Sequence, residues 1–415
     1  MPEPGSTVDA VYTVLVAFFF VINTVYLVVL VFSILEIHRQ KKMRITYDLD
    51  QAFRFRLLPP VSIILPAFNE EKTIEHSVRS LLFLRYPSYE VIVVNDGSSD
   101  RTLETLVGAF DLIKTDYVFR KSIDTERVRG IYVSREHRNI VVVDKENGGK
   151  ADALNAGINL SSYPYFCAID ADSILGREAL ARLILPVIND PARTVAVGGV
   201  VKAANGSVID KGRVLQERLP RNPLVLLQMV EYARSFFMGR IGLSALNALL
   251  IISGAFGLFR KEDVLRVSGY RKKSMGEDMM LVVRLHRMER KERRRYRIAF
   301  VHDTVCWTEM PANLRTLRRQ RVRWQMGLME SIFGNAGMFL NPRYGWVGVF
   351  AFPFYFFSEA VAPFAELLGY GLIGAGLYLG TMAPRAALSF LTVTLVYGAV
   401  HSFVALAMEQ FMAGT

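Results

Sequence analysis

Cysteine is scarce in this 415-residue sequence, which contains only Cys167 and Cys306. Two thiols cannot build a disulfide framework, so we expect both side chains to be free and buried. Internal repeats and low-complexity tracts are also lacking, which argues against a repeat array. Charged residues are missing from residues 11–35, and a membrane-spanning helix needs roughly 20 such apolar residues. We therefore expect the chain to cross a membrane near its N-terminus.

The charges around this first apolar run predict its orientation. Glu3 and Asp9 precede it. The basic side chains that follow it are His38, Arg39, Lys41, Lys42 and Arg44. By the positive-inside rule, the N-terminus lies outside and the middle of the chain lies in the cytosol. The long run without a basic start favours a membrane anchor over a cleaved signal peptide.

Two further apolar stretches, residues 346–382 and 386–408, predict a multi-pass protein of the cell (inner or plasma) membrane with its middle part cytosolic. The first of them is longer than one span requires, so we expect a tilt, a kink or an interfacial entry turn. It also contains Glu359 and Glu366. Acidic residues in a membrane are costly and often functional, but these two could equally face protein or the interface.

The bulk composition agrees with a membrane protein. Hydrophobic residues make up 51% of the chain, and the mean hydropathy is +0.24. A net charge of +11 would suit a nucleic-acid binder. The Lys and Arg residues cluster beside the apolar segments, however, as in the cytosolic flanks of membrane proteins. We therefore expect membrane lipids, and no nucleic acid, as partners.

The middle of the chain reads as an α/β domain. The apolar runs VSIILP, YEVIVVN, NIVVVD and YFCAID predict strands buried on both faces of a mostly parallel sheet between helix layers. Helices are expected over residues 72–84 and 150–160, and Asp100 is expected to cap another one near Arg101. Ligands of such sheets bind beyond the carboxyl ends of the strands. Unusual polar residues follow several of these runs.

One such strand end is the segment AIDADS, residues 168–173. Asp170 and Asp172 are two positions apart, so extended geometry projects both carboxylates from the same face. A hard cation such as Mg²⁺ or Mn²⁺ would compensate their charge, held by the carboxylates together with substrate phosphates. A helix cap or a loop pair is the alternative interpretation.

Three further turns carry candidate nucleotide ligands. PAFNE places Asn69 and Glu70 after a strand, and VVNDGSSD places Asp96, which could accept hydrogen bonds from a base or ribose. ENGGK puts two glycines before Lys150 at a helix start, an arrangement that suits a phosphate or a nucleobase. Taken singly, each segment could also be a plain turn.

Two helical motifs complete the set. Glu277 and Asp278 open an amphipathic helix, where a carboxylate could act as general base or merely stabilise the helix dipole. Gln320, Arg323 and Trp324 are spaced so that they share a helix face. Their amide, guanidinium and indole suit a phosphate and a sugar ring. A basic interfacial helix is the other interpretation, given the neighbouring Arg315, Arg318, Arg319 and Arg321.

These motifs, in this order, resemble the inverting family 2 glycosyltransferases with a GT-A (Rossmann-like) fold, over about residues 60–327. They are most similar to the membrane-bound processive synthases of hyaluronan, chitin, cellulose and poly-N-acetylglucosamine. G-E-D together with Q-R-V-R-W carries the resemblance, because D-x-D alone is unspecific. The regions implied are a transmembrane helix with a basic flank (1–45), a cytosolic GT-A domain (46–311), an amphipathic interfacial region (312–345) and C-terminal transmembrane helices (346–415).

The resemblance also implies a role for each motif. The nucleotide-sugar pocket would be lined by Ala67, Asn69, Glu70, Asp96, Lys150 and Asp170. Asp172, with Asp170, would hold the metal, and Asp278 would be the general base. The acceptor and the diphosphate would be held by Ser253, Gly254, Glu277, Gln320, Arg323 and Trp324.

The activity implied is inverting transfer from a UDP-sugar, with UDP-N-acetylglucosamine expected from the nearest likeness, to a growing polysaccharide at the cytosolic membrane face. A single transfer to a lipid-linked acceptor is the alternative, although Q-x-x-R-W favours elongation. An inactive membrane scaffold is disfavoured because carboxylates occupy all the expected positions. Polymer-secreting members usually have further membrane helices, so a partner subunit for export is also among the partners considered.

Overall fold

A computed structural model describes residues 4–46, 58–116, 118–216, 218–380 and 384–413. Its centre is a ten-stranded sheet, and a separate two-stranded hairpin lies beside it. The strands are β1 (Val61–Ala67), β2 (Tyr89–Asp96), β3 (Leu112–Thr115), β4 (Val128–Ser134), β5 (Ile140–Lys145), β6 (Tyr165–Ile169), β7 (Ile174–Leu175), β8 (Thr194–Ala203), β9 (Val208–Asp210), β10 (Arg213–Gln216), β11 (Phe256–Arg260) and β12 (Arg297–Thr308).

The sheet has the order β3-β4-β5-β2-β1-β6-β11-β8-β12-β7. The neighbours from β5 to β6 pair in parallel, as do β8 and β12. The remaining pairs are antiparallel, including both pairs made by β11. The expected α/β architecture is confirmed, with the correction that the sheet is mixed rather than mostly parallel. A buried apolar strand has the same sequence pattern whether it runs parallel or antiparallel to its neighbours. The pattern therefore does not predict strand direction.

The central strands are buried on both faces. Ile63, Ile64 and Leu65 of β1 have no exposed surface, which explains why the sequence shows a continuous apolar run instead of polar alternation. Cys167 and Cys306 are free and buried, as expected. Burial raises the pKa of both thiols, so neither is a reactive thiolate at neutral pH.

The helices alternate with the strands and then continue to the C-terminal end. They are α1 (Pro4–Thr46), α2 (Ile74–Leu81), α3 (Thr102–Ala109), α4 (Lys150–Leu160), α5 (Ala179–Leu183), α6 (Leu185–Asn189), α7 (Pro223–Ala233), α8 (Ile241–Ala245), α9 (Lys261–Arg266), α10 (Glu277–Lys291), α11 (Leu314–Phe333), α12 (Phe352–Tyr355), α13 (Ala362–Tyr378), α14 (Pro384–Leu391) and α15 (Tyr397–Ala413). Helix α4 has the predicted bounds, whereas α2 is shorter than residues 72–84 at both ends. Asp100 accepts a hydrogen bond from the Thr102 amide at 3.0 Å, the expected contact at the start of α3.

Among the described residues, three helices are long and apolar enough to cross a membrane: Ala10–Lys42, Val347–Tyr378 and Ala387–Phe411. They correspond to the three stretches found in the sequence. The second helix contains the π-helical segments Val347–Ala351 and Phe356–Val361, which agrees with the irregularity expected there.

Both acidic residues of the second apolar helix accept a hydrogen bond from a tyrosine. Glu359 takes the hydroxyl of Tyr26 on the first helix at 3.3 Å, and Glu366 takes that of Tyr370 at 2.8 Å. Polar groups in a membrane are commonly satisfied by such contacts. These bonds therefore give both carboxyl groups a protein partner.

The C-terminal end of α1 is bonded to strand β12 of the sheet. Glu36 is buried and accepts bonds from Arg39 at 2.7 Å and from Arg297 of β12 at 2.8 Å. Gln40 donates to the Phe300 carbonyl of the same strand at 2.7 Å. Because a buried charge is costly unless it is paired, these contacts fix the first apolar helix relative to the sheet.

Candidate active site

The polar motifs converge at one edge of the sheet. Strand β1 pairs with both β2 and β6, so the residues that follow these three strands are neighbours. Asn69 and Glu70 follow β1, Asp96 ends β2, and Asp170 and Asp172 follow β6. This edge is the carboxyl end of parallel strands, where α/β proteins bind ligands.

Lys150 and Asp170 form the central ion pair of this edge. The Lys150 Nζ atom contacts Asp170 Oδ1 and lies 3.8 Å from Glu277 Oε1. Burial disfavours the lysine charge, but Asp170 and Glu277 outweigh burial and raise the pKa of Lys150. The lysine is therefore positively charged and joins the first turn of α4 to the start of α10.

Asp172 is more exposed, and no cationic side chain among the described residues lies within ion-pair distance of it, although Lys150 is near enough to lower its pKa slightly. Among the described residues, its side chain accepts one long hydrogen bond, from the Ser173 hydroxyl at 3.5 Å. Desolvation and the negative charges of Asp170 and Glu70 raise the pKa of Asp172 to about 6. Repulsion among these carboxylates makes the position favourable for a cation. Among the described residues, no group of three or more His, Cys, Asp or Glu side chains is arranged to hold a metal.

Asp96 is buried, and its carboxylate is hydrogen-bonded to the neighbouring loop. Its carboxylate accepts bonds from the Gly148 amide at 3.0 Å and the Gly149 amide at 2.7 Å, and it pairs with Lys145. These bonds hold the glycine turn that precedes Lys150. The structure thus places Asp96 under the predicted nucleotide site, where it shapes the loop.

The turn after β1 is held by side chains from the turn after β2. Asn69 has a positive φ of 58°, and its Oδ1 accepts the Ser99 amide at 2.8 Å. The Glu70 amide donates to Thr102 Oγ1 at 2.8 Å. Ala67 is buried at the end of β1. Asn69 and Glu70 therefore lie at the surface of the edge, whereas Ala67 lies in its floor.

Asp278 lies beside the segment SGAF. Its Oδ2 accepts the Gly254 amide at 3.2 Å, and its Oδ1 accepts the Met279 amide at 2.8 Å. A Cβ atom on Gly254 would lie 2.9 Å from Lys150 Nζ. Gly254 therefore allows Asp278 and the lysine to approach each other, and Ser253 precedes it in the same turn.

The Q-R-V-R-W motif lies on α11, as predicted. Arg323 and Trp324 are exposed, and the Gln320 Oε1 atom is buried without a hydrogen-bond partner among the described residues. Arg321 stacks on the Trp324 ring at 4.6 Å and pairs with Glu231 of α7, with Nη2 2.6 Å from Oε2. One face of the Trp324 indole is thus covered by the Arg321 guanidinium, a contact that the sequence did not predict.

A contact between two glycines joins the two helical motifs. A Cβ atom built on Gly327 of α11 would lie 2.7 Å from the Gly276 Cα atom, immediately before α10. Glu330 adds a 2.9 Å bond to the Met275 amide and another to the Ser274 hydroxyl. These positions were not among the expected site residues. A glycine inside a helix was the available signal, because it often marks close packing.

We predict that Gly327→Ala lowers turnover by roughly 10²-fold, because a shift of about 1 Å in catalytic groups has that effect. The new methyl group must push α11 away from Gly276 and so move Arg323 and Trp324 relative to Asp278. Steady-state turnover of the purified protein measures the effect. Gly337→Ala is the matched control, since no atom lies within 4 Å of its added Cβ. Unchanged turnover in Gly327→Ala would refute the positioning role.

Comparison with known proteins agrees with this geometry. Residues 62–265 match the family described as Glycosyl transferase family 2, and residues 165–404 match Glycosyl transferase family group 2. The second match covers more than half of the chain. The chain belongs to the family 2 glycosyltransferases, and its fold is GT-A.

Two similar proteins are poly-β-1,6-N-acetyl-D-glucosamine synthases. The enzyme of Staphylococcus aureus (strain COL) is 31% identical over 271 residues, which cover 65% of this chain and 55% of the relative. That of Staphylococcus epidermidis is 30% identical over 268 residues, with 64% and 54% covered. The chain thus spans about half the length of the curated relatives that it matches.

The fold is also found in a solved structure of a mannosyltransferase from Pyrobaculum calidifontis, in complex with GDP-mannose and Mn²⁺. The two chains share 18% sequence identity with a TM-score of 0.58, and the similarity covers 95% of this chain and 99% of the other. At this identity the likeness establishes the architecture only.

Proposed function

We propose that this family 2 glycosyltransferase transfers a sugar, with inversion, from a UDP-sugar to the hydroxyl of a growing polysaccharide at the cytosolic membrane face. The observation that carries the proposal is the convergence of Asp170, Asp172, Lys150 and Asp278 at the carboxyl edge of the sheet. UDP-N-acetylglucosamine is the proposed donor, supported by the names of the 31% and 30% identical relatives.

The donor would lie across this edge, with the nucleotide over the turns after β1 and β2. Asn69 and Glu70 lie at the surface of the first turn, above the buried Ala67. Asp96 would act through the glycine loop that it holds. Lys150, at the N-terminal end of α4, would face the diphosphate, because a helix N-terminus and a lysine both favour negative charge.

A divalent cation, Mg²⁺ or Mn²⁺, fits the donor set at Asp170 and Asp172. The negative charges of Asp170 and Glu70 raise the pKa of Asp172, and Mg²⁺ usually binds one or two carboxylates together with substrate phosphates. The Mn²⁺ of the mannosyltransferase supports the same assignment. When bound, the cation would neutralise charge on the diphosphate. Asp170 would then exchange part of its contact with Lys150 for the cation.

Asp278 would be the general base. It lies beside Lys150 at the start of α10, and its carboxylate is oriented by the Gly254 amide. The acceptor hydroxyl would lose its proton to Asp278 while its oxygen attacks the anomeric carbon from the face opposite UDP. Glu277 would keep Lys150 in place, and Arg323 would stabilise the negative charge on the departing diphosphate.

The acceptor would enter next to Trp324. Its indole is 41% exposed, with Tyr232 of α7 at 6.4 Å between ring centroids. Gln325, the next residue, donates to the Glu359 carbonyl of the second apolar helix at 3.3 Å. Ser253, Gly254 and Gln320 would line the inner side of the same region. The acceptor end would therefore lie between the catalytic edge and the membrane helices.

This proposal is tested by a donor screen on the purified full-length protein. UDP-N-acetylglucosamine should release UDP at least about tenfold faster than other UDP-sugars, because a site that hydrogen-bonds one sugar rejects its analogues. Mass analysis of the product should show a ladder of lengths. A product extended by one sugar on a lipid would instead establish single transfer. Failure of every UDP-sugar to release UDP would contradict the proposal.

We also propose the four regions 1–45, 46–311, 312–345 and 346–415, with the catalytic part cytosolic in the inner or plasma membrane. Polysaccharide or lipid-linked acceptor, membrane lipids and a partner subunit for export are the proposed partners. The basic flank after the first apolar run supports the orientation. The orientation places residues 381–383, which lie outside the described residues, on the outer side.

Cysteine labelling in intact cells tests this topology. An impermeant maleimide should modify Ser6→Cys and Thr381→Cys from outside, and should reach Arg294→Cys only after permeabilisation. Background labelling should be low because both natural thiols are buried. Modification of Arg294→Cys in intact cells would overturn the proposed orientation.

A further inference from the structure

A cavity of about 690 Å³ lies apart from the catalytic edge. It is lined by α4, by the loop at residues 268–272 and by one face of α10, and Asn335 after α11 also contributes to the lining. Met280, Arg284 and Arg287 line it at helical spacings of four and three residues. Asp278 lies two residues before Met280, and at about 100° per residue it therefore projects from the other side of the helix.

The lining of this cavity is strongly basic. The cationic side chains are Arg271, Lys272, Arg284 and Arg287, and the acidic one is Asp124. Asp124 is already shared between Lys121 at 2.9 Å and Lys272 at 3.1 Å. Three arginines therefore face the cavity with little negative charge opposite them.

The contacts of the arginines confirm this imbalance. Arg284 donates to the backbone carbonyls of Gly269, at 2.8 Å, and Val267. Within the described part of the chain, Arg287 makes one hydrogen bond, to the Asn335 Oδ1 atom at 3.4 Å. Burial and the positive charge of Arg271 both lower the pKa of Arg284. Like charges thus meet at the wall of an open cavity, which is unfavourable unless an anion binds between them.

We propose that this cavity binds a phosphate-bearing anion. Guanidinium groups match phosphate oxygens with two parallel hydrogen bonds, which makes arginine clusters typical of such sites. The volume falls within the roughly 300–1,000 Å³ of small-molecule sites. The inference rests on the cavity alone and does not depend on the identity of the sugar donor.

The cavity is connected to both halves of the catalytic edge. Lys272 lies 3.0 Å from Asp152, and Asp152 lies 2.7 Å from Lys145, which pairs with Asp96. Asp96 in turn holds the glycine loop before Lys150. An anion that binds Lys272 competes with Asp152, so its arrival changes the support of the donor loop. The opposite wall, α10, carries Asp278 at its first turn.

The phosphate can come from two sources. Asn335 follows α11, the basic helix assigned to the membrane interface, and the second apolar helix begins soon after it, at Val347. A phospholipid headgroup and a soluble phosphate therefore both have a route to the cavity. The experiment below separates these two sources.

Binding of inorganic pyrophosphate to the full-length protein in neutral detergent, measured by calorimetry in the presence of chelator, tests the proposal. The double variant Arg271→Gln/Arg287→Gln should weaken binding at least tenfold. Lys291→Gln/Arg295→Gln is the matched control, because it removes the same charge from exposed positions of the same helix and its following loop, and it should bind within twofold of wild type. Arg323→Gln reports any binding at the predicted diphosphate site.

The same titration in nanodiscs distinguishes the sources. Pyrophosphate binding that persists in phosphatidylglycerol nanodiscs supports a soluble anion. Binding that is lost there, but kept in phosphatidylcholine nanodiscs, supports a lipid headgroup. Equal weakening in both double variants, weakening by Arg323→Gln alone, or no binding under any condition would overturn the proposal. None of these outcomes depends on turnover, so they are separate from a failure of the proposed reaction.

Discussion

Asp278→Asn is expected to lower turnover by about 10² to 10⁴-fold, the usual contribution of a general base, while leaving UDP-sugar affinity within about twofold. Asn has nearly the same shape and is itself favourable at a helix start. Its Oδ1 can keep one of the two amide bonds that Asp278 accepts from Gly254 and Met279. The amide does not take the acceptor proton, so the chemical step alone should fail.

Both quantities need to be measured on the same purified variant. The affinity for UDP-sugar comes from calorimetry, and turnover comes from UDP release. Glu75→Gln is the matched control, since Glu75 is also an acid in the first turn of a helix, is half-buried, and among the described residues forms an ion pair with Arg79 alone, at 2.8 Å. Near-normal turnover in Asp278→Asn would make Asp278 a structural residue, and Glu277 would then be the carboxylate to replace.

Asp172→Ala is expected to abolish turnover and the metal-dependent part of UDP-sugar binding without unfolding the protein. The residue is exposed, and the hydrogen bond that its side chain accepts from Ser173 is a long one of 3.5 Å. Exposed substitutions of this kind usually change stability by less than about 0.5 kcal/mol. The loss should therefore be specific to the cation and the diphosphate.

Thermal unfolding with and without Mn²⁺ gives a readout that does not require turnover. A ligand that binds only the folded state raises the melting temperature, so Mn²⁺ with UDP should stabilise the wild type and not Asp172→Ala. Asp116→Ala is the control, because Asp116 is an exposed acid at the end of β3 and far along the sheet from the site. Full activity of the wild type in excess chelator would exclude the cation role.

The raised pKa of Asp172 adds a pH dependence to this comparison. In the metal-free protein its folded-state pKa is about 6, above the ordinary value for Asp. Ionisation of Asp172 is therefore less favourable in the folded protein than in the unfolded chain. The contribution of the protonated carboxyl group to folding stability is lost as the pH rises through about 6. Removing this carboxylate should therefore not lower the melting temperature of the metal-free protein at pH 8. Metal stabilisation of the wild type should fall below pH 6, where the proton competes with the cation.

Local patterns determined much of the fold. The buried apolar runs gave β1, β2, β5 and β6, and the glycine pair before Lys150 marked the start of α4. Three apolar stretches gave the three helices that could cross a membrane. These features depend on interactions between residues close in sequence, or on transfer of one segment from water, so a single chain reports them.

Pairings between distant segments needed the tertiary structure. The direction of β11 is decided by its neighbours β6 and β8, and the sequence pattern of a buried strand is the same either way. Asp96 lies within reach of the predicted nucleotide site, yet its carboxylate bonds to Gly148 and Gly149. The sequence therefore identified Asp96 as a polar residue at a strand end, but it did not predict which groups its carboxylate would bind.

From the sequence alone, the class of enzyme, the apolar helices and the residue types at the strand ends could be predicted. Only the tertiary structure decided that Lys150 contacts Asp170, that Gly276 meets Gly327, and that Arg271 and Arg284 face one cavity. The physical reason is that these contacts join residues 20 or 51 or 13 positions apart, and they are set by strand order and helix packing. Local propensity extends over only a few residues and cannot specify them.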